Sequence, residues 1–162
     1  MLRGAIGITA LGLLGACKSG GGSGPPGAAG GPTPDPDLEL VTTVVADKRD
    51  LVTAYAATSA RFPQLAGRLD PLRADHEAHL DALAGFGGGA SPEPSASAAA
   101  TGPPIPDDKG RALTALAGTE GAAAARRIDE CETAQSPDLA RLIASIGGCE
   151  AAHSATLKAP ST

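Results

Sequence analysis

Five side chains with metal-binding chemistry lie on the apolar sides of the helices that this sequence predicts. Imidazole and carboxylate groups are common protein ligands of Zn²⁺ and other divalent metal ions. Each of the five is three or four residues from apolar neighbours, so burying those neighbours turns these side chains inward too. We therefore expect them to converge inside the fold, where they could hold one divalent metal ion. The candidate ligands are His76, His79, Glu120, Glu150 and His153.

Lys48 offers a way to satisfy these groups without a metal ion. It occupies a central position on the apolar stripe of the first predicted helix, where it and the histidines could neutralise Glu120 and Glu150. An uncompensated carboxylate in the interior costs several kcal/mol, so each glutamate needs a partner. Three interpretations stay open: a network of protein groups, a bound divalent ion, or solvated positions. The sequence favours the network.

Apolar residues spaced three and four positions apart predict the four helices that would carry these side chains. On the third helix, the stripe passes through either Arg127 or Ile128. No segment alternates with a period of two between turn signals, so a sheet is not expected. Capping residues, followed by proline in two cases, mark helix starts. The predicted helices run from Leu38 to about Arg61 before Pro63, from Asp70-Pro71 to Gly85, from Asp107-Asp108 through Cys131, and from Ser136-Pro137 through Leu157.

A long break separates the second predicted helix from the third. Residues from about 85 to 106 are rich in Gly, Pro, Ser and Ala and hold almost no bulky apolar side chain, a composition typical of disorder. Two helical hairpins joined by one long crossover have the connectivity of a ferritin-like bundle. The sequence thus predicts an all-α, antiparallel four-helix bundle over residues 38–158 with a tail at 159–162. An ordinary four-helix bundle is the alternative.

Two segments of the chain carry a resemblance to a known family. They are Leu72-Arg73-Ala74-Asp75-His76-Glu77-Ala78-His79-Leu80, and Leu139 to Ile146 leading into Cys149-Glu150-Ala151-Ala152-His153. These segments resemble the ferritin-like domains of unknown function found in actinobacterial lipoproteins, and the resemblance spans the four predicted helices. It implies the bundle fold and no established reaction.

This sequence matches half of the metal-ligand positions of ferritin-like carboxylate proteins. In those proteins two helices each supply one Glu and the other two each supply Glu-x-x-His. Glu150 and His153 match the paired motif, and Glu120 matches a lone Glu. His76 and Lys48 stand where two carboxylates are expected, and a lysine is a poor neighbour for a dinuclear metal centre. Iron oxidation is therefore not expected, whereas a single divalent ion remains chemically reasonable.

The N-terminus resembles the signal peptide of a bacterial lipoprotein. A positive start is followed by an apolar run, Gly4 to Leu14, which is too short to span a bilayer. Leu14-Gly15-Ala16-Cys17 resembles the lipobox, which implies removal of residues 1–16 and attachment of lipid, including a fatty acid such as palmitate, to Cys17. Residues 17–37 would form a Gly-, Pro- and Ser-rich tether. An ordinary secretory signal is the alternative.

The remaining composition bears on the redox state and the partners of the protein. Cys131 and Cys149 form an even pair, and in an exported protein they are a candidate disulfide. The alternative is two free thiols, because a symmetric hairpin of the third and fourth helices turning near Gln135 would place Cys131 opposite about residue 140, roughly 13 Å along the axis from Cys149. The net charge of -5 and an aromatic content of 2% argue against nucleic acid as a partner, since phosphate is repelled and few rings are present for base stacking.

These features together lead to an expected location and two expected functions. We expect a lipoprotein anchored to the outer, extracytoplasmic face of the cell membrane through Cys17. Its helical bundle would bind an envelope protein or a small ligand and would not be an enzyme. The alternative is a metal-binding or degenerate redox protein of the ferritin-like class, with one divalent metal ion as the only candidate cofactor.

Replacing the candidate lipidation site tests the proposed anchor. Cys17→Ser should leave an uncleaved, unlipidated precursor, because the thiol that accepts the lipid is lost. Cells are labelled with a fatty-acid analogue, and Cys131→Ser serves as a control that should label normally. Incorporation of label into Cys17→Ser would show that the lipobox interpretation is wrong.

Overall fold

The computed structural model describes residues 35–87 and 104–160, and the regular structure in these ranges is helical, without β-strands. The sequence prediction of four helices in an all-α fold is confirmed. A short 3₁₀ turn, Pro63–Leu65, precedes the second helix. The helices are α1 (Pro36–Arg61), α2 (Ala66–Ala84), α3 (Lys109–Thr133) and α4 (Pro137–Lys158).

Side-chain caps fix the starts of three helices. Asp35, Asp108 and Ser136 each accept a hydrogen bond from a backbone N–H two or three residues further along, at the starts of α1, α3 and α4. These bonds satisfy N–H groups that have no partner within the helix. The predicted caps of α3 and α4 are therefore confirmed. α1 ends before Pro63, as predicted.

The predicted start of α2 at an Asp70-Pro71 cap is wrong. The helix begins at Ala66, directly after the 3₁₀ turn, and Pro71 lies inside it. Leu65 and Leu69 are both buried, so the apolar contacts of the first turn of the helix outweigh the helical hydrogen bond that a proline removes.

The core of the helical domain consists of two apolar clusters, with polar side chains near the middle of each helix. The residues of the first cluster are Leu51, Tyr55, Leu65, Leu69, Leu113, Leu116, Ala117, Ala123 and Leu157. Those of the second are Val41, Val44, Leu83, Leu139, Ile143 and Ile146. On α1, for example, Lys48 falls between members of the two clusters and is fully buried. Burial of charge at this depth requires compensation.

Polar contacts connect the ends of the helices. The Asp37 carboxylate accepts hydrogen bonds from the backbone N–H groups of Gln135 at 2.7 Å and Ser136 at 2.8 Å. Arg61, at the end of α1, pairs with Asp107, just before α3. The Arg68 guanidinium near the start of α2 donates to the carbonyl of Ala159, at 2.9 Å, after the end of α4. α3 packs most extensively against α4, and α1 against α2.

Several sequence predictions concern residues outside the described ranges. The predicted signal peptide, the lipobox and nearly all of the tether fall within residues 1–34, and most of the predicted disordered crossover falls within 88–103. Of the helices in the described ranges, none combines the length and the apolar character needed to cross a membrane.

Candidate functional site

Glu120 is the point where all four helices meet. Its Oε1 atom accepts a hydrogen bond from the Tyr55 hydroxyl of α1 at 2.5 Å. The same oxygen lies 2.8 Å from Nε2 of His76 on α2 and 3.1 Å from Nδ1 of His153 on α4. Burial raises the pKa of Glu120, but the hydrogen bonds from the two histidines and Tyr55 outweigh it and lower the pKa to about 2. The carboxylate therefore stays ionised although it is fully buried.

The second buried carboxylate, Glu150, is held by two cations. The Lys48 ammonium contacts its Oε1 directly, and Nε of Arg127 lies 3.5 Å from its Oε2. Burial lowers the pKa of Lys48, and this effect outweighs the opposing hydrogen bond and charge of Glu150. In this ion pair, Lys48 neutralises the buried carboxylate of Glu150.

His76 connects the two carboxylates. Its Nδ1 lies 3.3 Å from the Lys48 ammonium, which can only donate protons when charged. Nδ1 then accepts, so the ring proton is on Nε2, and Nε2 donates to Glu120. A continuous hydrogen-bonded chain therefore runs from Glu150 through Lys48 and His76 to Glu120.

Arg127 is a buried member of the site. The sequence left open whether Arg127 or Ile128 lies on the apolar stripe of the third helix. Its side chain is 1% exposed, whereas Ile128 is 65% exposed. Besides Glu150, its guanidinium pairs with Asp47 and, at 2.7 Å, with Glu130. The available signal was the seven-residue spacing from Glu120, which puts Arg127 two helical turns further along the same face.

His153 extends the network towards the surface. Its Nδ1 faces Glu120, while its Nε2 lies 3.1 Å from Oδ2 of Asp75 and 3.3 Å from Sγ of Cys149. Burial lowers the pKa of His153, but the neighbouring carboxylates outweigh it and raise the pKa above its usual value. Burial raises the pKa of the Cys149 thiol. The Asp75 side chain is 55% exposed, so this end of the network reaches solvent.

The predicted Cys131–Cys149 disulfide is wrong: both cysteines are free. The Cys131 thiol lies 3.5 Å from the carbonyl of Ala140. Ala140 and Cys149 are nine positions apart on α4, which corresponds to about 13 Å along a helix. A disulfide needs Cα atoms within about 7 Å, so the α3–α4 pairing keeps the two thiols apart.

Two groups of side chains in the described residues have the chemistry and spacing to hold a metal ion. His76, Glu120 and His153 form the inner set, and Asp75, Cys149 and His153 form the outer set; within each set the ligand atoms lie within 4.8 Å of one another. Oε2 of Glu120 is buried without a hydrogen-bond partner in the described residues. That unpartnered oxygen could accept a cation at the inner set.

Glu150 and His79 fall outside both sets. Glu150 is paired with Lys48 and Arg127, as described above. His79 is next to His76, with ring centroids 6.1 Å apart, and its Nδ1 is buried without a hydrogen-bond partner among the described residues. Burial, followed by the positive charge of Lys48, lowers the pKa of His79 to about 4. Of the five predicted residues, His76, Glu120 and His153 therefore meet at one place.

Comparison of the chain with protein-family models, curated proteins and solved structures gave no significant match.

The burial of Arg127 depends on the absence of a side chain at Gly147, which gives a pair of matched substitutions. A Cβ atom at Gly147 would lie 2.8 Å from Cβ of Arg127, whereas one at Gly148 would have nothing within 4 Å. Gly148→Ala should stabilise the protein by up to about 1 kcal/mol through helix propensity. Gly147→Ala should lose that gain to steric overlap and be less stable than Gly148→Ala by about 1–3 kcal/mol. Urea unfolding measures both, and equal stabilities would contradict the close packing of Arg127 against α4.

Proposed function

We propose that this chain is a lipid-anchored protein of the bacterial envelope whose helical domain binds a partner protein or a small ligand without catalysing a reaction. The anchor is supported by the Leu14-Gly15-Ala16-Cys17 motif, which follows a charged start and an apolar run. The non-catalytic assignment is supported by the geometry of the buried polar centre.

The contacts between helix ends support an antiparallel, ferritin-like arrangement. The start of α1 contacts the α3–α4 junction through Asp37, and the end of α1 contacts the start of α3 through Arg61 and Asp107. The start of α2 contacts the end of α4 through Arg68. In such an arrangement the connection from α2 to α3 travels the length of the bundle, which is the ferritin-like topology with one crossover.

The pairing of Glu150 with Lys48 and Arg127 is the observation that argues against ferritin-like iron chemistry. A dinuclear iron site in such a bundle needs carboxylates from all four helices to balance the charge of two metal ions. Lys48 and His76 stand on α1 and α2 instead, and the ammonium of Lys48 already contacts one of the two remaining glutamates. The donor set does not fit two iron ions, so the buried centre is best understood as a structural network.

A single divalent ion at His76, Glu120 and His153 is the second candidate function, and the unpartnered Oε2 of Glu120 favours it. The hydrogen bond from Lys48 to His76 disfavours binding of an ion there. While the ammonium donates to Nδ1 of His76, the ring proton is on Nε2, the nitrogen that would have to bind the ion. Ion binding at this set would therefore release a proton from Lys48 or from the ring.

Iron oxidation separates the non-catalytic assignment from a degenerate redox function. The full chain carrying Cys17→Ser is mixed with Fe²⁺ in air, and the absorbance of Fe³⁺ and the uptake of oxygen are followed. The expected result is the same rate as in buffer alone, since two of the four carboxylate positions are missing. A ferritin provides the positive control.

Oxidation faster than the buffer rate that disappears in Glu120→Gln would overturn the non-catalytic assignment and support the degenerate redox alternative. The comparison requires that Glu120→Gln keeps the helical circular dichroism of the parent protein.

A further inference from the structure

The outer end of the buried network has the features of a metal site that differs from the ferritin-like position. Asp75 on α2 and the pair Cys149 and His153 on α4 bring a carboxylate, a thiol and an imidazole together. His153 is 4% exposed, Cys149 is partly buried, and the Asp75 side chain is 55% exposed. The group is therefore anchored in the interior and open to solvent on one side, so that an ion can enter.

Glu120 holds the His153 ring in the orientation that a metal ligand needs. When Nδ1 donates its proton to Glu120, 3.1 Å away, the neutral ring carries its lone pair on Nε2. That lone pair faces Oδ2 of Asp75 at 3.1 Å and Sγ of Cys149 at 3.3 Å. These three atoms surround one point, where a proton on Nε2 or a metal ion offsets their mutual repulsion. A carboxylate that accepts the second ring proton is the usual support of a metal-binding histidine.

Two of the three distances between ligand atoms at the outer set are close to those that a tetrahedral ion requires, and the third, between Asp75 and Cys149, is within 4.8 Å. Bonds of about 2.0–2.3 Å to Zn²⁺ place neighbouring ligand atoms about 3.3–3.8 Å apart. The two distances from Nε2, 3.1 and 3.3 Å, need to open by a few tenths of an ångström only. Cys149 and His153 are four residues apart on α4, so their side chains share one helix face without any change of backbone.

We propose that Asp75, Cys149 and His153 bind one divalent transition-metal ion of the Zn²⁺ type, with Glu120 as the positioning residue for His153. The thiolate selects transition metals over Mg²⁺ and Ca²⁺, which prefer oxygen ligands. Binding displaces the proton from Cys149, and it displaces any proton carried on Nε2 of His153. The fourth position faces solvent and takes water or a ligand from outside. This inference rests on the ligand-binding part of the proposed function and is independent of the lipid anchor.

Titration with Co²⁺, a spectroscopic substitute for Zn²⁺, tests the site. The protein is the full chain carrying Cys17→Ser in detergent, in which Cys131 and Cys149 are the remaining thiols. The expected result is a near-ultraviolet thiolate-to-cobalt charge-transfer band and strong visible bands of tetrahedral cobalt, saturating at one ion per chain. Added Zn²⁺ should abolish both.

Matched variants assign the ligands. Cys149→Ser should remove the charge-transfer band, whereas Cys131→Ser, the control for the other thiol, should keep it. Asp75→Asn should weaken binding, and Asp138→Asn, another exposed carboxylate on a different part of the surface, should not. Glu120→Gln should keep the spectrum and lower the affinity by about 10- to 100-fold, the loss typical of a changed partner of a metal-bound histidine. Circular dichroism checks the fold of each variant.

Three results would overturn the proposal. The first is the absence of cobalt bands at saturating Co²⁺. The second is the appearance of visible cobalt bands that lack the charge-transfer band and are lost in His76→Gln. That result would assign the ion to the inner set. The third is a charge-transfer band that survives Cys149→Ser. None of them would change the results expected from iron oxidation or from lipid labelling, so failure of this proposal is distinguishable from failure of the proposed function.

Discussion

The buried ion pair between Lys48 and Glu150 is the interaction on which the rest of the polar centre depends. Both side chains are fully buried, and removing two charges from water costs several kcal/mol for each ion unless the geometry and further hydrogen bonds offset it. Arg127 provides a second cation for Glu150, and Asp47 and Glu130 balance Arg127 in turn. The charges therefore constrain how the middle sections of α1, α3 and α4 can pack.

The same ion pair determines which ring nitrogens carry protons in the histidines further along the network. Because Lys48 donates to His76, the other nitrogen of that ring donates to Glu120. Glu120 in turn fixes the ring of His153, whose second nitrogen faces Asp75 and Cys149 at the partly exposed end. A charge change at Lys48 would thus reach the outer set through two histidine rings. The interior of this bundle both stabilises the fold and orients the residues that we propose as metal ligands.

Helical periodicity was sufficient to predict the four helices and the inward orientation of Lys48, Glu120 and Glu150, since each is spaced from apolar residues that must be buried. It was insufficient for Arg127, because Ile128 fits the same stripe and the space for the larger side chain comes from Gly147 on a different helix. Contacts between helices that are not joined by a short turn depend on their register. Spacing along one helix carries no information about that register.

The central claim, that Lys48 and Glu150 neutralise each other, is tested most directly by a double-mutant cycle of unfolding free energies. Lys48→Met and Glu150→Gln should each cost about 3–5 kcal/mol, because each leaves a buried charge without its closest partner. The double variant should cost clearly less than the sum, with a coupling of at least about 2 kcal/mol, since Arg127 keeps Asp47 and Glu130 as partners. Urea denaturation measures all four proteins, and additive losses would contradict the claim.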